Sequence, residues 1–290
     1  MSIVVNTNIG SLNAQRSLAE SSRELATAME RLSSGKKINS AADDAAGFAI
    51  AERMTAQVRG LNMATKNAND GLAMLATIEN ATNDVTDMLQ RIRELAVQAA
   101  NDTNSADDRK YLQGEVDSLL NEINRVSSQT IYNNEAVLDG TRAGVLQVGT
   151  EATQTIDFNI SSIDTDELGL TSSAIASGGA VSLVTSSGVT AISVLTASGA
   201  TAALADISDA IEQVAGDRAG YGALANRLEY TVSNLMNVAE FTTAARSRIE
   251  DADFAAESAR LAKAQVLQQT GTAMLAQANA SSQLAIQLIR

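Results

Sequence analysis

The sequence contains no cysteine, no histidine, no proline and no tryptophan. Without cysteine there is no disulfide bond, no thiolate metal ligand and no cysteine nucleophile. Without histidine the chain cannot form a Ser-His-Asp triad, an H-E-x-x-H zinc helix or a histidine general base. Only carboxylates, lysines and tyrosines are left for acid-base chemistry. We therefore expect no enzyme, and we assign no catalytic residue, no cofactor and no metal site from the sequence.

The absence of proline favours long helices, because proline is the residue that most often kinks or ends a helix. Aromatic residues are only 3% of the chain, so a core must be built from Leu, Ile, Val, Met and Ala. No stretch approaches the ~20 apolar residues of a membrane span. Residues 1–12 lack the basic start and apolar centre of a cleavable signal peptide. We expect neither membrane insertion nor a cleaved leader.

The net charge of −13 is concentrated in the middle of the chain. Residues 101–215 contain 4 basic and 16 acidic side chains, whereas the two flanking parts are nearly balanced. No basic stripe is available to displace counterions from a phosphate backbone, so nucleic-acid binding is not expected. Balanced ends and an acidic centre suit packed termini and a solvated middle.

The first 130 residues carry a helical period with clear start and stop signals. A first helix is predicted over 9–33, with caps among Asn6–Asn8 and a stop at Ser33–Gly35. The motif Ser40–Asp43 fits a capping box for a long helix over 44–100. A third helix follows Ser105–Asp108 and ends near Ser127. The inward positions of the long helix are Leu75, Ile78, Thr82, Val85, Leu89, Ile92, Ala96 and Ala99; those of the third are Leu112, Val116, Leu119, Ile123 and Val126.

From Thr130 the apolar period changes from that of a helix to that of a strand. Apolar residues alternate with polar ones over 156–160, and 145–148 is a partner strand. Residues 168–205 have no charge and are mostly Ser, Thr, Ala, Gly and Val. They form either a small β-rich surface insert or a flexible Ser/Gly linker, and their hydroxyls are either O-glycosylated or plainly solvated.

The C-terminal part returns to helical spacing. Inward positions begin at Leu204, Ile207, Ile211 and Val214 and continue as Tyr221, Ala225, Leu228, Val232 and Leu235. After a polar joint at Ser247–Phe254, a terminal helix runs over 252–290. Its inward positions are Ala264, Leu267, Gly271, Met274, Ala278, Ser281, Ala285 and Leu288. Because most of these are small, one partner helix gains little by burying them, and several close neighbours gain more.

The fold class predicted from these patterns is mainly α. Both chain ends form a long antiparallel helical hairpin or coiled-coil rod, with a small β-rich region and a surface insert in the middle.

Five motifs make the chain resemble the bacterial flagellin family. They are Asn13–Arg16, Leu32–Gly47, Leu89–Gln98, Ala245–Phe254 and Leu275–Asn279, and the resemblance covers about residues 1–165 and 203–290. It implies a structural subunit that self-assembles through its terminal helices into the flagellar filament used for motility. The alternative within the same axial family is a hook–filament junction protein.

The resemblance also implies a division of the chain. Residues 1–43 and 248–290 are expected in an inner-tube domain. Residues 44–167, which include the β-hairpin region, and 203–247 are expected in an outer-tube domain. Residues 168–202 are expected to be a short variable surface insert. The helices thought to drive self-assembly carry Leu18, Leu25, Met29, Leu32, Leu267, Met274, Leu284 and Leu288.

Further partners follow from the resemblance alone. We expect export through the flagellar type III apparatus, an export chaperone on the C-terminal helix, filament cap and hook-junction proteins, and an extracellular location. Host Toll-like receptor 5 is expected to contact Leu89, Gln90, Arg91, Glu94, Leu95, Gln98 and, on the next helix, Glu115. The alternative is that Leu89 and Ile92 are core while Arg91 and Glu94 are a solvated face.

Two acidic motifs carry no site in this interpretation. Asp43 and Asp44 are adjacent and diverge on a helix, so they are expected to act as N-terminal helix charges. Asp164, Asp166 and Glu167 alternate as in a calcium loop but lack its glycine and its distal glutamate.

Overall fold

The computed structural model describes residues 7–172 and 191–287. Its five helices are α1 (Ile9–Ser34), α2 (Ala45–Ala100), α3 (Ala106–Gln129), α4 (Ala197–Glu250) and α5 (Phe254–Gln287). Its strands are β1 (Ile131–Tyr132), β2 (Glu135–Ala136), β3 (Ala143–Gln147), β4 (Thr155–Asn159), β5 (Thr171–Ser172) and β6 (Ala191–Ile192). The mainly α class, with long terminal helices and a small sheet region, is confirmed.

The chain divides into two compact units. Unit 1 contains Met1–Arg59 and Ala239–Arg290, and unit 2 contains Gly60–Val238. Every member of the main hydrophobic cluster lies between Ala68 and Val232, and hence inside unit 2. Unit 2 therefore has a core that needs no side chain from unit 1.

Local capping chemistry places the helix ends close to where the sequence predicts them. Asn8 caps α1 by accepting a hydrogen bond from the Ser11 N–H, and Gly35 ends α1 in the left-handed conformation, at φ 72°. Ser105 and Asp108 form the full reciprocal capping box of α3. The hydrogen bond from the Ser105 hydroxyl holds the pKa of Asp108 below its usual value.

The predicted capping box at the start of α2 is wrong in one respect. Asp43 accepts a hydrogen bond from the Ser40 N–H at 2.9 Å, but this pair closes a turn before the helix. Asp44 is the residue that caps α2, because its carboxylate accepts from the Gly47 N–H at 3.0 Å. A local turn competes with the box here, as is common for Ser and Asp side chains.

The core of unit 2 follows the apolar stripe of α2. All eight inward positions predicted over Leu75–Ala99 are buried. The buried Thr82 hydroxyl donates to the Ile78 carbonyl at 2.9 Å, so the one polar residue of the stripe is satisfied. On α3 the buried face is Gln113, Val116, Leu120, Ile123 and Ser127. Leu112, Leu119 and Val126, which were predicted inward, are half-buried.

The predicted strand pair is present. Strands β3 and β4 are antiparallel, with Leu146 opposite Ile156 and Gly144 opposite Phe158. Strands β5 and β6 pair in parallel on either side of residues 173–190. The part of the expected insert that falls on 173–190 lies outside the described residues.

The two edges of that insert differ from the prediction. Leu168 and Leu170 at its start, and Ile192 and Val194 towards its end, are buried in the core cluster. Helix α4 already begins at Ala197, whereas the sequence predicts helical spacing only from Leu204.

Side chains of helix α3 bind two non-helical segments of unit 2. The side chain of Gln113 is fully buried; its Oε1 accepts from the Val194 N–H at 2.7 Å and its Nε2 donates to the Ile192 carbonyl at 3.3 Å. The Asn124 side-chain oxygen accepts from the Thr165 N–H at 2.9 Å. These amides supply the hydrogen bonds that backbone groups of non-helical segments need when they are buried.

Asp117 completes this arrangement by accepting a hydrogen bond from Gln113 Nε2 at 2.9 Å. Burial raises the pKa of the Asp117 carboxyl above 3.8, against the weaker opposite effect of the Gln113 hydrogen bond. A raised pKa in the folded state means that the charged form is disfavoured by folding. The stability penalty therefore appears as pH rises through the folded-state pKa and is fully present at neutral pH.

We expect Asp117→Asn to raise the stability of the monomer at neutral pH, because the amide oxygen still accepts from Gln113 and no charge is buried. The gain should disappear at strongly acidic pH, where the wild-type carboxyl is protonated in both the folded and the unfolded state. Urea denaturation at several pH values measures the difference between variant and wild type. A gain that does not depend on pH would contradict the explanation.

Candidate functional surfaces

Helices α1 and α5 form an antiparallel pair within unit 1. The Asn8 side-chain N–H donates to the Ala278 carbonyl at 2.8 Å at one end, and Arg31 lies 3.9 Å from Glu257 at the other. Midway along the pair, a Cβ on Gly271 would lie only 3.3 Å from Leu18 Cδ1. The two helices are therefore packed closely, and a larger residue at Gly271 would require Leu18 to move.

The buried seam of this pair consists of small side chains. Ser11, Ser21 and Ala28 of α1 and Ala264 of α5 are buried. Small residues allow close approach, but each removes little apolar area from water, and burial stabilises by only about 25 cal/mol per Å². The pair gains little free energy from its own contact.

Many large apolar side chains of the pair point away from the seam. Those that are exposed are Ile9, Leu12, Met29, Phe254, Val266, Leu267 and Met274. The predicted inward positions of Leu267 and Met274 are wrong, because they are 43% and 64% exposed while Ala264 occupies the seam. Of the other predicted assembly residues, Leu18, Leu25 and Leu32 are half-buried, and Leu284 and Leu288 lie outside the residues whose side chains are described.

An open groove of about 700 Å³ runs along this outward face. Its lining combines small residues of both helices (Gly10, Ala14, Gly271 and Ala278) with the large apolar Leu267 and Met274. A groove with a small-residue lining and apolar rims is suited to receive another helix.

The connectors that join the terminal helices to α2 and α4 are fastened to each other. The Lys37 N–H donates to the Glu250 carbonyl at 2.6 Å, and the Ala252 N–H donates to the Gly35 carbonyl at 3.0 Å. Lys36 Nζ forms a salt bridge with Glu250. The polar joint predicted at 247–254 therefore exists, and it is held by backbone hydrogen bonds as well as by charge.

A second surface lies on α2 and α3 in unit 2. Arg91 donates from Nε and Nη2 to Glu115 Oε1, at 2.9 and 2.7 Å, and from Nη1 to Glu94 at 3.0 Å. The hydrogen bond to Glu115 raises the pKa of the Arg91 guanidinium. Gln90, Arg91, Glu94, Gln98 and Glu115 are all exposed, so five of the seven residues predicted for receptor contact form one accessible polar face.

The other two predicted receptor residues are in the core. Leu89 is fully buried and Leu95 is 1% exposed, so neither presents its side chain to a partner in this conformation. Leu95→Ala would remove a core side chain, a change that typically costs about 2–5 kcal/mol. In the sequence, Leu95 lies next to the apolar stripe of α2. This position does not show whether its side chain is buried in the core or exposed on the surface.

Val97 is an exposed apolar residue on this surface that the sequence analysis missed. It lines an open groove of about 520 Å³ with Gln90, Arg93, Glu94 and Ile211. The sequence feature that could have identified Val97 is an apolar residue outside the buried stripe, placed between the exposed Glu94 and Gln98.

The acidic motifs hold no site in the described part of the chain. Asp44 caps α2, and Asp164 accepts from the Glu167 N–H at 2.8 Å. Among the described residues, no group of three or more acidic side chains is placed to hold a metal ion. In the same residues, no helix is long and apolar enough to cross a membrane.

Comparison with known proteins matches both ends of the chain. Residues 5–143 match the family model of the bacterial flagellin N-terminal helical region, and residues 204–289 match that of the C-terminal helical region. The flagellin of Bacillus subtilis is 41% identical over 303 residues, which cover 99% of each chain. The flagellar filament 33 kDa core protein of Treponema phagedenis is 38% identical over 288 residues, covering 99% of this chain and all of that protein.

Among solved structures, a Vibrio parahaemolyticus protein assigned to the flagellar hook-associated proteins has a TM-score of 0.56. The match covers 72% of this chain and the full length of the Vibrio protein, at 16% identity. At this identity the likeness concerns the fold alone.

Proposed function

This chain belongs to the bacterial flagellin family, and we propose that its paired helices α1 and α5 make the contacts that polymerise it. The chain is a structural subunit of the flagellar filament, and its partner in that assembly is further copies of itself. Nothing in the comparisons favours the hook–filament junction alternative, since the hook-associated likeness extends to the fold alone.

One observation carries the proposal: among the described apolar residues of the α1–α5 pair, those that are buried are alanines, and seven large ones are exposed. A two-helix coiled coil that is stable without further partners buries large apolar residues such as Leu at its seam, because they supply its stability. Exposed apolar residues on both helices, such as Leu12 and Met274, gain that stability only when further helices cover them. Packing among several copies provides such a cover.

The separate core of unit 2 supports a division of labour along the chain. In this proposal, residues 1–43 and 248–290 form an inner tube, and residues 44–167 and 203–247 form an outer tube. The buried edges of the insert expected over 168–202, at Leu168, Leu170, Ile192 and Val194, belong to the outer tube. Unit 2 keeps its own hydrophobic cluster, so its fold does not depend on the polymer.

We expect the double variant Leu267→Ser with Met274→Ser to polymerise poorly while its monomer stays folded. Both residues are exposed, and surface changes usually alter stability by about 0.5 kcal/mol or less. If burial of each side chain in the polymer contributes about 1.5–3 kcal/mol, the subunit concentration needed for assembly should rise roughly a hundredfold or more. Sedimentation of filaments over a concentration series measures this threshold.

Val145→Ser with Ile131→Ser is the matched control for that experiment. These residues are 61% and 56% exposed but lie in the β-region of unit 2. The control should polymerise like the wild type. Equal thresholds for both double variants would contradict an assembly face on α1 and α5.

The exposed face of α5 also bears on what happens before assembly. Leu267 and Met274 would promote premature association inside the cell unless they are covered. We therefore include in the proposal an export chaperone on the C-terminal helix, delivery through the flagellar type III apparatus, an extracellular filament, and cap and hook-junction proteins at its ends.

The polar face on α2 and α3 supports a proposal of host recognition. Arg91, held between Glu94 and Glu115, presents a fixed guanidinium on an exposed surface, and Gln90 and Gln98 flank it. Arginine in such a setting is a frequent anchor of protein interfaces. We propose this face, with Leu89 and Leu95 as its buried support, as the contact for Toll-like receptor 5.

We expect Arg91→Ala to reduce receptor signalling by soluble monomer much more than it reduces monomer stability. Half of the Arg91 side chain is solvent-exposed, and solvent screening keeps the contribution of exposed ion pairs to stability small. A reporter-cell assay with thermal unfolding measures both quantities. Arg125→Ala is the control, because Arg125 is equally exposed and is paired with Glu122 on α3. Equal signalling by both variants would remove Arg91 from the recognition surface.

A further inference from the structure

A polar groove lies along the same α1–α5 pair in unit 1. Its volume is about 420 Å³, and four cationic side chains line it: Arg23, Arg31, Arg260 and Lys263. Three glutamates accompany them, of which Glu20 and Glu24 are shared with the apolar groove. The cations therefore exceed the carboxylates, and the end away from Glu20 and Glu24 is the more positive.

The third glutamate, Glu257, is already engaged. It is 6% exposed and receives Arg260 Nη1 at 3.2 Å on one oxygen, with Arg31 Nη1 at 3.9 Å from the other. A buried carboxylate needs such partners, because an unpaired one is costly. The nitrogens that reach Glu257 are thus the Nη1 atoms, and the opposite edge of Arg31 is not used for this contact.

Arg31 Nε is buried and has no hydrogen-bond partner. The edge formed by Nε and Nη2 is the one that binds carboxylates elsewhere in this chain. Arg91 uses it for Glu115, with both nitrogens within 2.9 Å of one oxygen. Arg125 uses it for Glu122, with one nitrogen on each oxygen. On the same edge of Arg31, which lines the groove, the buried Nε has no such partner.

An unpaired Nε is not in itself evidence of a site, since Arg142 and Arg218 also have one. At Arg31 it coincides with a groove and three further cations. Lys263 has no ion pair or hydrogen bond with any described residue, so its three donors are also available. A fork-shaped donor beside a free ammonium matches an oxyanion, which accepts on several oxygens at once.

We propose that the Arg31–Arg260–Lys263 end of this groove binds an oxyanion, and that in the filament this oxyanion is a carboxylate of a second copy of the chain. The identification of this oxyanion as a carboxylate of a second copy rests on the proposed self-assembly. The chain contains 34 Asp and Glu residues, so carboxylates are the oxyanions that every neighbouring copy brings. Sulfate presents the same acceptor chemistry and serves as a soluble probe.

The first experiment uses the full-length monomer at neutral pH and does not require assembly. Sodium sulfate is titrated against sodium chloride at equal ionic strength, and the amide and arginine Nε resonances are followed by NMR. We expect a saturable shift specific to sulfate at residues around Arg31 and Lys263. Lys263→Gln should weaken sulfate binding several-fold, and Arg31→Lys roughly tenfold, because it keeps the charge but loses the fork.

Arg16→Gln is the control, since Arg16 is an exposed cation of α1 that does not line the groove. It should bind sulfate like the wild type, and any general salt effect should be the same in all variants. A sulfate shift that does not saturate, or that is equal in Arg31→Lys and Arg16→Gln, overturns the oxyanion site.

The second experiment measures the subunit concentration needed for polymerisation of the same variants without sulfate. Arg31→Lys and Lys263→Gln should raise that concentration at least several-fold, and Arg16→Gln should not. Loss of sulfate binding with unchanged polymerisation overturns the carboxylate of a second copy as the ligand. If the wild-type protein forms no filaments, the proposed assembly function fails, while the sulfate titration still decides whether the site exists.

Discussion

The close contact of α1 with α5 is the constraint on which the rest of this account depends. Ser, Ala and Gly line the seam, and Gly271 lets Leu18 approach to a distance that a larger residue would block. Close packing of small residues occupies the inner face of each helix, and no large apolar side chain described there is fully buried. Leu12, Leu267 and Met274 are consequently left on the outside. A polymer contact is the physical use of such an arrangement, since an exposed apolar face is stable only when it is covered.

Unit 2 is built on the opposite principle. Its helices bury Leu, Ile and Val along α2, and its one continuous cluster contains no residue of unit 1. The buried amide of Gln113 and the side-chain amide of Asn124 fasten non-helical segments to α3. This unit can therefore keep its shape while the terminal helices exchange one set of neighbours for another.

Much of unit 2 and the helix ends could be predicted from the sequence, because large apolar residues at regular spacing and strong caps determine them. The stripe from Leu75 to Ala99 and the pairing of β3 with β4 are examples. The seam of α5 could not be predicted in the same way. Ala264, Leu267, Gly271 and Met274 share one stripe, and periodicity does not show whether the small or the large residues face the partner helix. In the structure the small ones face it, because they allow the two helices to approach closely. The burial of Leu95 and of Gln113 was not predicted for a related reason, since burial of a residue beside a stripe depends on what packs across it from distant parts of the chain.

Hydrogen exchange on monomer and filament tests the central claim most directly. If the α1–α5 contact contributes little free energy by itself, amides of Ile9–Ser34 and Phe254–Gln287 should exchange much faster in the monomer than those of residues 75–99. In the filament they should become protected to a similar degree, because neighbouring copies then cover the outward apolar side chains. Terminal amides that are already as protected in the monomer as those of residues 75–99 would contradict the account.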